Sequence, residues 1–410
     1  MENQNVASGT ASIKDKEVRR NAMIWFCAGV SMAEILTGTY FAPLGFAKGL
    51  AAILLGHLIG GVLFFMAGLI GAKTGRSAME TVKMSFGKKG ALLFVVLNVV
   101  QLAGWTAVMI LTGSSSCAFV FDFGASFIWP LLIGLLIIIW IAVDIRKFDS
   151  LNTAAFILLF VLTIVLCVTI FKNHAEVVGL AEAADALSFG AAVELSVAMP
   201  LSWLPLVSDY TRTAKKPVLT SAASSGVYFL VSCWMYFIGM GASILTGESD
   251  VVQIMVKAGL GIAALVIVIF STVTTTFLDV YSAGISSKSI SKKVNEKIAA
   301  YIVCAVGVIT VLIISQKSVE TASFENFLYF IGSVFAPMIS IQIADYFIIK
   351  NDSSDKNFNI LNLIIWVLGF VLYRFLMSFD FVLGSTFLVM LIVCTVTALA
   401  NIAAKKLLKK

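Results

Sequence analysis

The sequence predicts an all-α membrane protein of twelve transmembrane helices, and three observations predict it. Apolar runs of about 18–25 residues, each long enough to cross a hydrocarbon core about 30 Å thick, recur with only short polar joints between them. The basic residues fall almost entirely in alternate joints. Two runs, the first and the sixth, carry helix-breaking residues near their centres. Composition agrees with this reading: 60% of residues are hydrophobic and 13% charged, whereas soluble domains have about 45–50% apolar and about 25% charged residues. With a mean hydropathy of +0.99, one membrane domain is expected rather than several soluble ones.

The apolar runs place helices near 22–46, 50–71, 90–120, 126–143, 150–171, 188–210, 217–246, 252–285, 298–316, 322–349, 359–376 and 379–402. Placing the N-terminus inside puts 24 of the 29 basic residues on the cytoplasmic side, as the positive-inside rule requires. Only Lys48, Lys172, Lys257, Lys317 and Arg374 fall outside. Dropping or adding one early helix would scramble this partition, so both termini are expected in the cytoplasm of a multi-pass cell (inner) membrane protein. Residues 1–21 read as a polar tail without the apolar core of a signal peptide, and 403–410 as a second tail. Between the second and third spans, SAMETVKMSFGKK has apolar residues at helical spacing with lysines interleaved, which fits a short helix on the inner surface.

The net charge of +6 follows from insertion topology and implies no nucleic-acid partner. Six cysteines are widely spaced without a CxxC, so neither a disulfide framework nor a zinc site is expected. His57 and His174 are isolated, and no HExxH is present. That leaves no constellation for a membrane-embedded protease or transferase: no catalytic residue, no cofactor and no enzyme activity are expected. The lipid bilayer and a small polar solute are the expected partners.

The first span contains Gly29, Gly38 and Pro43, and the sixth Pro200 and Pro205, all poor in a continuous helix. Paired interruptions in corresponding halves point to inverted-repeat transporters, in which unwound backbone and half-helix ends bind ion and substrate near the midplane. They also speak against a simple channel. Glu34 lies beside the first break, where a carboxylate is costly unless paired, solvated or protonated. A substrate contact, proton coupling and a link to a neighbouring helix are all open to it. In the third span Asn98, Gln101 and Trp105 share one face, offering amides beside an indole on which a planar heterocycle could stack. Ser271, Thr274, Thr275 and Asp279 lie on one side of the eighth span. Oxygens of this kind suit a small cation, although membrane hydroxyls also bond back to their own helix. Asp279 needs a cation, a proton or a polar substrate as partner. Glu194 is open to a pocket or an outer-vestibule role. Asp209 and Asp345, at the ends of spans six and ten, read as gate or cap groups that would meet Arg212 and nearby lysines.

LTG in span one, GAKTGRSAMETVKMSFGKKG after span two, QLAGW in span three, PLVSDYTR in span six, TTTFLDVYSAG in span eight and FAPMISIQIADYF in span ten together resemble the nucleobase:cation symporter-1 family. That family includes cytosine permeases and hydantoin and allantoin carriers. Within it the chain is most similar to the branch described as hydroxymethylpyrimidine transporters, associated with thiamine-precursor salvage. The resemblance implies a LeuT-like five-plus-five inverted repeat plus two C-terminal helices: a first repeat over 22–171, a second over 188–349, and a final pair over 359–402. It implies a monomeric symporter that imports a pyrimidine-like heterocycle with Na+ or H+, the substrate lying between spans one, three, six and eight. Trp105 matches the stacking tryptophan and Glu34 a polar substrate ligand of span one. Gln101, Ser202, Trp203 and Asp279 complete the implied pocket. Ser271, Thr274 and Thr275, with carbonyls of the stretch containing Gly29, Met32 and Ala33, match the cation site of sodium-coupled members. Met109 stands where some relatives place an amide, and Leu278 where cytosine carriers have Asn, so cytosine itself is in question.

Overall fold

The computed structural model describes residues 2–143, 149–172, 187–247, 252–253, 256, 261–291, 293–314 and 321–407, and among these all regular structure is helical. The first span is two helices, α1 (Glu2–Gly29) and α2 (Met32–Thr39), bent by 50° at the break between them. The expected polar tail is therefore helical from Glu2, since no proline interrupts it. Of the three interruptions expected in this span, only Gly29 sits at the break. Gly38 lies inside α2, where the missing Cβ admits the backbone of Tyr236. Pro43, which has no N–H to donate, falls in a single 3-10 turn, Ala42–Leu44, so the span ends near 39 rather than 46.

The chain continues through α3 (Gly45–Thr74), α4 (Ala78–Phe86), α5 (Ala91–Val120), α6 (Ile128–Val143), α7 (Asp149–Lys172), α8 (Phe189–Thr211) and α9 (Pro217–Thr246). Then follow α10 (Gly261–Lys288), α11 (Glu296–Ile314), α12 (Thr321–Ile343, with a π-helical turn over Ala344–Ile349), α13 (Ile360–Leu376) and α14 (Gly384–Leu407). Most of the expected eighth span before 261, the end of the ninth after 314, and Arg146, Lys147, His174, Lys257 and Lys317 lie outside the described residues. By length and composition, eight helices among the described residues can cross a membrane, the α1–α2 pair makes a ninth, and α6, α7 and α13 are shorter apolar helices.

What faces outward confirms the solvent. Ile298, Ile302, Val306, Ile309 and Ile313 on α11, and Ile360, Ile364, Leu368, Val371 and Phe375 on α13, are all exposed at three- and four-residue spacing. Apolar stripes of that length do not face water on a soluble protein; they face acyl chains.

Packing repeats between the two halves. Helix α1 (span one) lies along α9 (span seven), and α8 (span six) lies along α3 (span two), while α5 packs on α10; the first span of each half packs on the second span of the other. The α3–α8 contact is built on small residues. Cβ atoms at Gly56, Gly60 and Gly71 would overlap Ser196, Pro200 and Ser208. That closeness lets Ser196, Ser208 and Thr211 donate to the carbonyls of Ile53, Ala67 and Gly68 at 2.8, 2.9 and 2.7 Å, the small-residue and polar-glue packing of lipid-embedded helices.

The expected break in span six is not present: α8 is continuous through Pro200 and Pro205. Neighbours brace it beside the prolines, although the carbonyls the prolines leave without a helix donor are those of Ser196 and Leu201. Gln101 Nε2 donates to Ser202 O (3.2 Å) and Asn98 Nδ2 to Pro205 O (3.3 Å), both from α5. Enclosure by neighbouring helices accommodates prolines in a membrane helix, and α8 is 94% buried over its apolar stretch.

Glu194 takes neither of the roles open to it in the sequence. Its carboxylate accepts from Tyr373 Oη, Thr386 Oγ1 and the Thr386 backbone N–H (2.8 Å for the last), tying α8 to α13 and to the first turn of α14. Removing an acceptor that satisfies several buried donors costs on the order of 3 kcal/mol. Glu194→Ala is therefore expected to lower the thermal unfolding midpoint measurably in detergent, and Glu194→Gln to lower it less, as a fluorescence-detected melt would register.

Helix α4 forms where the amphipathic spacing predicts, but packing against α5, α8, α12 and α13 buries most of it rather than leaving it on the surface. Ser77 and Glu80 close a capping box at its start. Partial burial works against the Glu80 carboxylate, yet the Ser77 donors and the charges of Lys83 and Arg212 hold it below the ordinary glutamate value. Because the folded value is depressed, this contribution is complete above the ordinary range and is lost as pH falls through the folded value.

Candidate substrate site

The break in the first span creates the site. Ser31 adopts extended backbone (φ −136°, ψ 156°) and its Oγ caps α2 by accepting from Glu34 N at 3.2 Å. A cap one residue past the interruption restarts the helix at once and sets Glu34 in the first turn of α2. Helix α9 packs along α2, α5 and α10 touch it, and α8 brings Met199, Ser202 and Trp203 to the same place.

Glu34, Trp105, Ser202, Trp203 and Asp279 line one closed cavity, which Ser31, Met109 and Met199 complete. Its open space is about 10 Å³, room for about one water, so a cargo enters only with movement of the walls. Trp105 meets Phe324 and Phe327 edge-on at 6.0 and 5.5 Å. Its Nε1 is buried without a partner, and so is Asp279 Oδ2. Buried polar atoms normally find partners, and two orphans on one cavity wall mark where a polar molecule would be received.

Glu34 is fully engaged on its other side. Oε1 accepts from Tyr228 Oη and Oε2 from Ser232 Oγ, each at 2.7 Å. Trp203 Nε1 donates to Tyr228 Oη at 2.9 Å. The Ser202 hydroxyl donates to Met199 O at 2.7 Å, one turn back on its own helix. Tyr228, Ser232 and His57, which stands behind Ser232, were not singled out from the sequence. Tyr228 and Ser232 stand at i, i+4 on α9, but Ser221, Ser224 and Ser225 precede them at the same helical spacing, so no local signal marks the pair.

Gln101 is not on the cavity wall. Its amide nitrogen serves Asn98 Oδ1 (2.9 Å) and Ser202 O, leaving Oε1 buried and unpartnered. The face it shares with Asn98 and Trp105 divides, the amides clamping α8 and the indole reaching the cavity.

The residues expected around a cation are only partly gathered. Thr275 Oγ1 reaches across to Cys27 O, just ahead of the break, at 3.3 Å. Thr274 instead donates to Phe270 O (2.8 Å) and Ser271 to Val268 O (3.3 Å), both within α10. Gly29 lies at the break against Val231, and Met32 and Ala33 begin α2.

At the far end of α8, Asp209 Oδ1 accepts from the backbone N–H of Ala78 at 2.9 Å, capping α4, and its Oδ2 is unpartnered. Arg212 terminates α8. Asp345 accepts from Asn362 Nδ2 at 2.7 Å. In direct contact the structure supplies a helix N-terminus and an amide, and the expected charges, Arg212 for Asp209 and Lys405 for Asp345, act without an ion-pair contact.

Comparison with known proteins agrees with this geometry. The sequence profile of the family described as "Permease for cytosine/purines, uracil, thiamine, allantoin" matches residues 10–399. The cytosine permease of Escherichia coli (strain K12) is 24% identical over 75% of this chain and 72% of its own length. Among solved structures, the closed conformation of Mhp1 with bromovinylhydantoin bound, a nucleobase-cation-symport-1 family transporter, superposes with a TM-score of 0.77 at 18% identity, covering 94% of this chain and 91% of that one. A Na+-coupled sialic acid symporter in an outward-open state gives 0.66 at 13% identity over 93% and 88%. Likeness at that identity is likeness of fold; the match along nearly the whole sequence is what decides ancestry. The chain belongs to the family of permeases for cytosine/purines, uracil, thiamine and allantoin, the nucleobase:cation symporter-1 family, and is a multi-pass membrane transporter rather than an enzyme.

Proposed function

We propose that the chain is a monomeric secondary active symporter of the cell membrane, with both termini cytoplasmic, that imports a planar nucleobase-like heterocycle. The cargo is a pyrimidine such as hydroxymethylpyrimidine or cytosine, driven by Na+ or H+. The observation that supports this best is the closed cavity at the helix break, where an indole, two carboxyl groups and two unpartnered polar atoms converge. Such a wall suits a flat, polar ring: the indole takes the ring face, and the carboxyl oxygens take its edge. Closure to about 10 Å³ fits a carrier cycle in which neither side of the membrane is open at once. Thr275 beside the break supports a sodium-coupled version, and Glu34 a proton-coupled one.

The driving force is sufficient, because one charge moving down 100 mV yields about 2.3 kcal/mol, while tenfold accumulation costs about 1.4 kcal/mol. In proteoliposomes, labelled cytosine or hydroxymethylpyrimidine is expected to accumulate above its equilibrium level under an inward Na+ or H+ gradient, and to fall back when the gradient is collapsed. Absence of gradient-driven uptake for every pyrimidine, purine and hydantoin tried would reject the proposal.

A further inference from the structure

The side of Glu34 away from the cavity fixes what the side toward it offers. Ser232 Oγ lies 2.7 Å from Glu34 Oε2 and 2.6 Å from His57 Nε2. On the other face of the imidazole, Nδ1 lies 2.7 Å from Ser196 Oγ and 3.0 Å from Ile53 O. Glu34, His57, Ser196 and Ser232 are all buried. The histidine that stands isolated in the sequence is thus the hub of a chain linking α2, α9, α3 and α8.

Ser196 gives its one proton to Ile53 O, so Nδ1–H is the donor to Ser196, and the single proton of Ser232 leaves two arrangements of that chain, an imidazolium with an ionised Glu34 or a neutral His57 with a protonated Glu34. In one, His57 Nε2–H donates to Ser232 and Ser232 donates to Glu34, a carboxylate that only accepts. In the other, Ser232 donates to an unprotonated Nε2, and Glu34 carries a proton that it gives to Ser232. Tyr228, which takes a hydrogen bond from Trp203, donates to Oε1 in both. Either way the only proton Glu34 could hold is spent on Ser232, and what remains for the cavity is oxygen lone pairs. Across the same cavity Asp279 Oδ2 has no partner, and neither does the Trp105 N–H.

Building on the carrier reading above, we propose that this cavity selects a planar heteroaromatic bearing an exocyclic amino group, whose two N–H bonds are received by Glu34 and Asp279. His57 and Ser232 are the positioning residues that keep Glu34 an acceptor. A carbonyl in place of the amino group turns lone pairs toward lone pairs, and a buried site built for donors rejects such an analogue by refusing it a partner. The family spans both kinds of molecule, naming cytosine and uracil together, so this is a discrimination its members must make.

Equilibrium binding to the purified full-length protein tests it, with pairs that exchange amino for oxo, cytosine against uracil and 4-aminopyrimidine against 4-pyrimidinone; since a ring nitrogen in each oxo member also turns from acceptor to N–H donor, 4-methoxypyrimidine, which keeps both ring acceptors, is the control for that change. The amino member is expected to bind about 100-fold more tightly or better, a conservative figure for a site built around N–H donors. Glu34→Gln, whose amide both donates and accepts, is expected to narrow the ratio to about tenfold or less. Ser232→Ala and His57→Phe are expected to narrow it too, and His57→Gln, which keeps an N–H for Ser232, to restore part of it. A purely structural role for His57 would weaken both members alike and leave the ratio unchanged. Equal or tighter binding of the oxo members to the unmodified protein, or a ratio untouched by Glu34→Gln, overturns the proposal while leaving the carrier reading standing. Should a variant fail to fold, the ratio in the unmodified protein decides alone. If neither kind binds, the carrier reading fails and this inference with it.

Discussion

Alanine in place of Trp105 is expected to raise the dissociation constant for a pyrimidine cargo about 10- to 100-fold, with phenylalanine recovering most of the loss. Trp105 lines the cavity, is braced edge-on by Phe324 and Phe327, and is only 4% exposed. Stacking a base on an aromatic side chain contributes about 1–3 kcal/mol, and each 1.4 kcal/mol is about tenfold in affinity. Phenylalanine retains a ring face but gives up the unpartnered indole N–H, so it also reports how much that donor contributes. Equilibrium binding on purified variants measures both. Indifference of the affinity to Trp105→Ala would place the cargo elsewhere.

The largest expected effect on folding is at the crossing of α3 and α8. Leucine at Gly60 would drive a side chain into Pro200, on the most deeply buried helix. Because α8 is held on its other side by the α5 amides and at its start by Tyr373 and Thr386, it cannot simply move away. A loss on the order of 4 kcal/mol or more is expected, the magnitude reserved for overpacking a buried contact, and size-exclusion profiles should show aggregated or absent protein. Gly226 is the control: nothing lies within 4 Å of a Cβ built there. Alanine at that position should be neutral or stabilising by about 0.5–1 kcal/mol, since it removes only the glycine helix penalty. Equal tolerance at the two positions would mean that α3 and α8 are not in contact.

Helix positions were legible because spanning length and apolarity are properties of a short window of sequence. The seventh span, 217–246, coincides with α9, and the third differs from α5 by a single residue at its start. The break at Gly29 was legible for a similar reason, with Ser31 ready to cap the next helix. The sixth span misled because proline's cost is local while the enclosure that tolerates it is not: α8 is the most buried of the spans, and Asn98 and Gln101, about 100 residues away in sequence, hold it from α5. Those same amides looked like substrate ligands for want of knowing what they faced. Glu34 was recognisable as a buried carboxylate, but its partners lie 194 and 198 residues along the chain, and no spacing rule connects them. His57 read as isolated for the same reason, its partners lying 139 and 175 residues away.

The central claim, that the cavity at the first helix break is where cargo sits, is tested most directly by substrate protection. In a background with the six native cysteines replaced, Met109→Cys places one thiol on the cavity wall. Its rate of modification by a small methanethiosulfonate reagent is then followed with and without saturating cytosine or hydroxymethylpyrimidine. Cargo is expected to slow the reaction at least about tenfold, as occupancy of a closed, single-molecule chamber requires, while leaving a thiol placed at exposed Asp355, in the loop between α12 and α13, unaffected. Transport that persists while cargo gives the thiol at 109 no protection would contradict the account.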